Sequence, residues 1–401
     1  MHFIFLTLGY HPDRVGGAYR YLTAVAERLA ERDHVVQVIY PKPVAGRGES
    51  EVRNGVHLHG FPNRTGHPVT NWIQENGWAR QTCRSLRPAS AQPCLTVFAH
   101  AFFGPCFNRR WAPSVFLFTG PWAEEYRLAQ SGRPGSWRRK WLDGCFQLVM
   151  RRVERRLLQK VQRILTLSQY YRTQLPRWHG NRLAPVTVLG GGVDFDRFQP
   201  AADRRAIRAS WGLTEQDYLW LAVRRLDPRM GLGVLLEGFA AVARDHPRAQ
   251  LWIAGDGPQR GELESRRTQL GLDQRVRLLG WVPEERLPGL LAAADCGIMP
   301  SLDLEGFGLA TAEALACGTP VLGSRAGATP ELLEPLDAGL LFEAGSPTAL
   351  AAKLRAVLEG RLALPSPARC VAYAREHFSW EQPVTALELA FRDLCLARGP
   401  S

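Results

Sequence analysis

The chain has 401 residues, 45% of them hydrophobic and 22% charged. That composition excludes a disordered or fibrous chain, and the length calls for two domains of roughly 150–200 residues rather than one core. A formal net charge of +12 narrows the polyanionic partners to nucleic acid, an anionic membrane face or phosphorylated ligands. No run approaches 18 consecutive apolar residues, so no membrane-spanning helix is expected. The apolar start, His2 to Leu8, lacks a basic leader and a small-residue cleavage site, and it reads as a first strand, not a signal peptide. Eight cysteines are scattered without a C-x-x-C pair or a histidine at zinc-ligand spacing. They read as reduced core residues of a cytoplasmic protein.

Short apolar runs alternate with amphipathic runs, the pattern of βαβ units. Strands are expected at residues 2–8, 35–40, 56–61, 95–99, 115–118, 163–167 and 186–189, and helices at 18–31, around 142–160 and at 170–175. The segment 63–92 is mixed and carries no assignment. After Gly190-Gly191-Gly192 a connector runs from Asp194 to Asp203, and a second series begins. Its strands are expected at 218–223, 250–254, 275–279, 296–299, 321–323 and 340–342, and its helices at 233–245, 259–270, 284–293, 309–316 and 347–359. Two further helices, 367–377 and 383–395, lie beyond the last strand. The organisation expected is a first Rossmann-like domain over residues 1–193, a second over 194–378, and a terminal helix over 379–401 returning to the first. Two parallel sheets in series would bind ligands in a cleft at the carboxyl ends of their strands.

Several segments carry chemistry. Gly16-Gly17 follows the first strand and opens a helix, where backbone can approach an anion; a plain strand-to-helix turn uses the same pair. Residues 300–324 read PSLDLEGFGLATAEALACGTPVLGS. There a strand end, the loop Glu305-Gly306-Phe307-Gly308 and a helix from Leu309 would aim free N–H groups at a diphosphate. Glu305 and Glu313 stand eight residues apart, so one carboxylate can face the ligand beyond the phosphates while the other accepts from a vicinal diol such as ribose. By spacing alone, Glu305 reads equally as an electrostatic helix cap and Glu313 as a solvated residue.

From Arg133 to Arg163 there are ten Lys or Arg against Asp143 and Glu154, interleaved with Trp137, Trp141, Phe146, Leu148, Val149, Leu157 and Leu158. This suits either peripheral association with an anionic membrane, at its cytoplasmic face, or an arginine-rich helix whose apolar side is core. No RNP, zinc-finger or helix-turn-helix pattern accompanies the charge, which argues against nucleic acid.

The Glu305–Glu313 segment resembles the E-x7-E signature of family 4 glycosyltransferases, retaining enzymes of the GT-B fold. Other segments match in turn. Gly16-Gly17 is similar to the glycine-rich acceptor-side loop, and VLGGGVD (188–194) to the interdomain hinge. VRRLDPRMG (223–231) is similar to the segment supplying phosphate-binding cations, and LWIAGDGPQRGELE (251–264, with Gly255) to the strand–glycine–helix unit of the nucleotide domain. The run 276–302 is similar to the base-contacting strand and the approach to the signature. The resemblance covers nearly all of 185–345 and is sparser before it. It implies a transferase using a nucleotide-diphosphate sugar as co-substrate, with no other cofactor and no metal. Arg225 would hold the diphosphate together with the turn Gly306–Leu309. Glu305 would approach the donor sugar, Glu313 the ribose, and the backbone of Trp281 and Val282 the base. The acceptor would be a glycan, a lipid or a small molecule.

Two positions depart from the family pattern. Met230 stands where many relatives carry a lysine, with Arg229 beside it as a substitute cation. Thr119-Gly120-Pro121-Trp122 stands where relatives often show His-Gly-Pro-Trp. Thr119, and His100 at the end of the preceding strand, are therefore the acceptor-side candidates. The same departures support an alternative, a catalytically weak binding subunit of the same fold.

Overall fold

The computed structural model of the chain describes residues 1–42, 50–62, 68–88, 92–111, 113–130 and 137–396. The chain divides into two compact units, Met1–Gly190 with Trp380–Ser401, and Gly191–Ser379.

The first unit is built on strands β1 (His2–Leu6), β2 (Val35–Lys42), β3 (Ser50–Arg53), β4 (Val56–Pro62), β5 (Cys94–Phe98), β6 (Ser114–Phe118), β7 (Arg163–Thr166) and β8 (Val186–Val188). Their order is β3-β4-β2-β1-β5-β6-β7-β8, and only the edge pair β3–β4 is antiparallel. Every residue of β1, β5 and β6 is buried, as in parallel sheets covered on both faces by helices. The helices are α1 (Gly17–Glu31), α2 (Pro68–Ser85), α3 (Trp122–Gln130), α4 (Trp137–Lys160) and α5 (Gln169–His179). Helix α2 fills most of the stretch that carried no assignment. Its asparagines, glutamines and central Gly77 blur the helical period, and residues 63–67 and 89–91 lie outside the described ones. Helix α3 and strand β3 were likewise not anticipated. Both are short, and β3 is an edge strand without a fully buried residue.

The second unit carries β9 (Tyr218–Val223), β10 (Ala249–Ala254), β11 (Val276–Gly280), β12 (Cys296–Met299), β13 (Val321–Ser324) and β14 (Leu341–Phe342). All are parallel, in the order β11-β10-β9-β12-β13-β14. Its helices are α6 (Arg204–Ser210), α7 (Leu232–Ala243), α8 (Arg260–Gln269), α9 (Leu287–Ala293), α10 (Leu309–Ala316), α11 (Thr329–Leu333), α12 (Pro347–Leu358) and α13 (Pro367–His377). The strand order reverses between β9 and β12, so the loops leaving those adjacent strands diverge and open a crevice at their carboxyl ends.

Helix α14 (Glu381–Leu396) belongs to the first unit. Glu388 accepts from Arg32 Nη1 at 2.6 Å and pairs with His34 Nε2 at 2.7 Å. Phe391 packs edge-on against Phe3, and Trp380 against Tyr21. Six of the eight cysteines are buried, Cys145 is exposed and Cys395 lies between. Among the described residues, no helix is long and apolar enough to cross a membrane.

Candidate active site

In the second unit, the crevice between β9 and β12 brings together two loops distant in sequence. Arg224 leaves β9 and turns inward. Its Nη2 donates to Glu305 Oε2 and to Ser301 Oγ, and the Ser301 hydroxyl lies 3.0 Å from the same Glu305 oxygen. Arg229 Nη1 donates to the Leu304 carbonyl at 2.9 Å, and Leu302 N–H to the Arg229 carbonyl at 2.8 Å. Burial alone would raise the Glu305 pKa. The charge and hydrogen bond of Arg224, with Arg229 and Ser301, outweigh it and hold the carboxyl below its ordinary value. Leu304, just before it, sits in the left-handed region at φ 55°, a costly conformation for a side chain of this size that persists because the surroundings fix it.

The turn Gly306–Gly308 then leads into α10, whose N-cap is Gly308 without a side-chain cap. Its first N–H groups suit an anion. Glu313 lies further along the helix and is buried, so it is not the solvated residue that spacing alone allowed.

Arg225 behaves oppositely to its neighbour. It is exposed, and among the described residues its guanidinium has no hydrogen-bond or ion-pair partner. Successive side chains at a strand end point to opposite sides, so one arginine of the pair is used internally and the other is presented outward. Met230 is buried and brings no charge. Gly255 follows β10 at φ 135°, and a Cβ there would stand 1.9 Å from the Arg224 carbonyl oxygen. Only glycine lets the β10 loop pass so close to Arg224. Trp281 and Val282 follow β11, two strands from β9, and Trp281 is exposed. Both line a cavity of about 480 Å³ with Trp211, Arg277 and Arg286. The Arg286 guanidinium lies 4.3 Å over the Trp211 ring.

In the first unit, Gly16 N-caps α1, and Gly17 is its first residue. His100 follows β5, but its Nδ1 accepts from Phe102 N–H at 3.0 Å and caps the turn Ala101–Cys106. Burial, with the charge of Arg14, lowers its pKa to about 3. The ring is therefore a neutral, weakly basic hydrogen-bonding group at pH 7. It stands edge-on to Trp122, centroids 5.3 Å apart, so it borders the Thr119–Trp122 turn. Thr119 is half-buried after β6.

That turn is fastened by a residue outside the sequence-predicted site. Glu154 is fully buried in α4, and its Oε1 accepts from Trp122 N–H at 3.1 Å. A signal existed: Met150, Leu157, Leu158 and Val161 form a buried stripe at helical spacing, and Glu154 lies on it. Arg224 and Ser301 were also missed. Among the described residues no group of three or more His, Cys, Asp or Glu could hold a metal ion.

Residues 15–197 match the family described as Glycosyltransferase Family 4, and residues 203–377 the family described as Glycosyl transferases group 1. The D-inositol 3-phosphate glycosyltransferase of Geodermatophilus obscurus is 34% identical over 59% of this chain and 54% of its own; the chain thus spans about half the length of that relative. The GDP-mannose-dependent alpha-(1-6)-phosphatidylinositol monomannoside mannosyltransferase of Mycolicibacterium smegmatis is 29% identical over 80% of each chain. Among solved structures, a sucrose-phosphate synthase from Thermosynechococcus elongatus matches with a TM-score of 0.79 at 22% identity, covering 99% of this chain and 100% of that one.

Proposed function

Since the chain belongs to the family 4 glycosyltransferases, retaining enzymes of the GT-B fold, we propose that it transfers a hexosyl residue from a nucleoside-diphosphate sugar to a glycan, lipid-linked or inositol-phosphate acceptor. The observation that carries this reading is the turn Glu305–Gly308 at the start of α10, set at the reversal of strand order with an ionised Glu305. The N–H groups of that helix end and the unengaged Arg225 hold the diphosphate, the guanidinium offering a fixed fork to phosphate oxygens. Glu313 takes the ribose hydroxyls, and Trp281 and Val282 take the base. Glu305 addresses the donor sugar.

Attack and departure occur on the same face of the sugar, through a short-lived oxocarbenium-like ion pair. The leaving diphosphate accepts the acceptor's proton, so the protein's task is positioning and stabilising charge on the leaving group. Thr119, with His100 as a neutral hydrogen-bonding neighbour, shapes acceptor recognition in the first unit.

The exposed side of α4 favours a lipid among these acceptors. Trp141, Leu148 and Val149 are exposed, and the exposed Arg152 and Arg156 continue the same helical face. Arg133 lies outside the described residues, as do the side chains of Arg138 and Arg139. Apolar residues beside arginines fit the headgroup region of an anionic bilayer, where a lipid acceptor resides. A second reading, a binding subunit with weak catalysis, rests on Met230, buried and uncharged at a position where many relatives carry lysine.

The test is a thermal-shift panel of UDP-glucose, GDP-mannose and ADP-glucose, followed by nucleotide release with and without acceptor. A ligand that binds only the folded state raises Tm. The transferase reading fails if no nucleotide sugar raises Tm or is turned over. Binding without turnover, with or without acceptor, favours the second reading.

A further inference from the structure

Arg224 and Glu305 are confined together. Their side chains are only 6% and 13% exposed, and 80 residues of chain separate them. Two contacts fix the carboxylate end. Arg224 Nη2 and the Ser301 hydroxyl both meet Oε2, while Oε1 is turned toward Gly308, 3.8 Å from where a Cβ on that residue would stand. The backbone end is fixed as well. Ala328 N–H donates to the Glu305 carbonyl at 2.9 Å, and Gly327, at φ 57°, packs so close that a Cβ there would lie 2.6 Å from Glu305 Cβ. Arg224 Nε is buried without a partner. A buried guanidinium that leaves a donor unsatisfied is expensive unless the pairing it does make is needed.

We propose that Arg224 is the positioning residue for Glu305: it holds the carboxylate with Oε2 occupied and Oε1 directed at the start of α10, where the donor sugar is read. The inference rests on the role assigned to Glu305 under the proposed function. It divides the labour of the arginine pair, Arg225 outward to the diphosphate and Arg224 inward to the carboxylate. The charged side chains acting on Glu305 are Arg224 and Arg229, both from the loop after β9. The loop after β13 meets it through the backbone of Gly327 and Ala328. Without Arg224, burial is opposed only by Arg229 and the Ser301 hydroxyl, and protonation of Glu305 moves toward neutral pH.

The experiment compares Arg224→Gln, Arg224→Lys, Ser301→Ala and Glu305→Ala with the parent, following nucleotide release from UDP-glucose and GDP-mannose between pH 5.5 and 8.5. Arg224→Gln is expected to lose about 10- to 100-fold in kcat at pH 6.5, with the acid limb of its pH profile displaced upward and much of the loss recovered at pH 8.5. Arg224→Lys should restore most of the profile, and Ser301→Ala should displace it in the same direction by less. A loss of constant ratio at every pH, or no loss, overturns the inference. If Glu305→Ala releases nucleotide like the parent, the functional reading fails instead.

Melting temperatures over the same range supply a readout that needs no donor. The penalty of Arg224→Gln should grow as pH rises and Glu305 becomes an unpaired buried charge. It should lose that pH dependence in a Glu305→Gln background. A penalty equal at all pH values overturns the inference, whichever donor is used. Should Arg224→Gln fail to fold, the Lys and Ser301→Ala variants carry both readouts.

Discussion

His179 Nε2 lies 3.4 Å from Glu154 Oε2, with both side chains shut off from solvent. Burial raises the Glu154 pKa to about 8, against the pull of the Trp122 N–H, and lowers that of His179 to about 4, helped by the charges of Arg151 and Arg155. At pH 7 the pair is therefore mostly a protonated carboxyl beside a neutral imidazole. The folded state binds the Glu154 proton more tightly than the unfolded chain, so stability falls as pH rises from about 4 toward 8. His179 acts in the opposite sense between about 4 and 6.5, where its neutral form favours folding. Glu154→Gln keeps an oxygen for Trp122 N–H and removes the carboxyl's titration. Its Tm should match the parent near pH 4.5 and exceed it by several degrees at pH 8. Differential scanning calorimetry at the two values decides it; an equal offset at both would refute the assignment.

Gly255→Ala should destabilise the second unit by about 1–3 kcal/mol, the usual cost of forcing an extra carbon into a filled space. The Arg224 carbonyl would have to move, so donor binding should weaken in parallel. Urea melts and titration with UDP and GDP measure the two effects, and a variant unchanged in both would contradict the close approach.

Glu313→Ala should weaken nucleotide binding about tenfold, the effect of losing a charged hydrogen-bond acceptor, while Glu305→Ala should also depress turnover. Calorimetric titration with GDP and UDP separates the two. Nucleoside alone should show the Glu313 effect if the ribose is its partner, and an effect confined to diphosphates would relocate it.

Transfer should persist in EDTA. Arg225 and the N–H groups at the start of α10 are suited to neutralising the diphosphate without a divalent ion. Loss of activity in EDTA, restored by Mg²⁺ or Mn²⁺, would count against the assignment.

Vesicles of neutral and anionic phospholipid distinguish a membrane face on α4 from a merely solvated helix. Flotation with anionic vesicles should be strong at low salt, reduced at high salt, and further reduced by Trp141→Ser combined with Arg152→Glu and Arg156→Glu. Binding to neutral vesicles alone, or to none, removes the membrane role.

The alternation of runs was sufficient to place both sheets within a residue or two at most strand ends, because parallel strands buried on both faces are nearly continuous in Val, Ile, Leu and Phe. Helix α2 escaped because its residues are mostly polar and Gly77 sits in its middle. In the site, Glu305, Glu313 and the Gly306–Gly308 turn were legible as a strand end, loop and helix start. Arg224 was not, because adjacent arginines look alike in sequence and only the pleat decides which one is buried. Glu154 was hidden by its setting, a lone acid among arginines whose stripe position becomes telling only once the buried face of α4 is known. His100 follows a strand as expected, but the burial that lowers its pKa is invisible in the sequence.

Helix α14 gives the chain an unusual order of assembly. The first unit leaves off at Gly190 and is completed only by Trp380 onward, after the 189 residues from Gly191 to Ser379. At typical synthesis rates those residues take roughly 10–40 s to emerge. Throughout that interval Phe3, Tyr21, Arg32 and His34 lack the partners that Phe391, Trp380 and Glu388 later supply. The second unit, continuous in the chain, can close first although it is made later. A chain cut short of Trp380 would therefore carry its earlier-made unit as the less finished one.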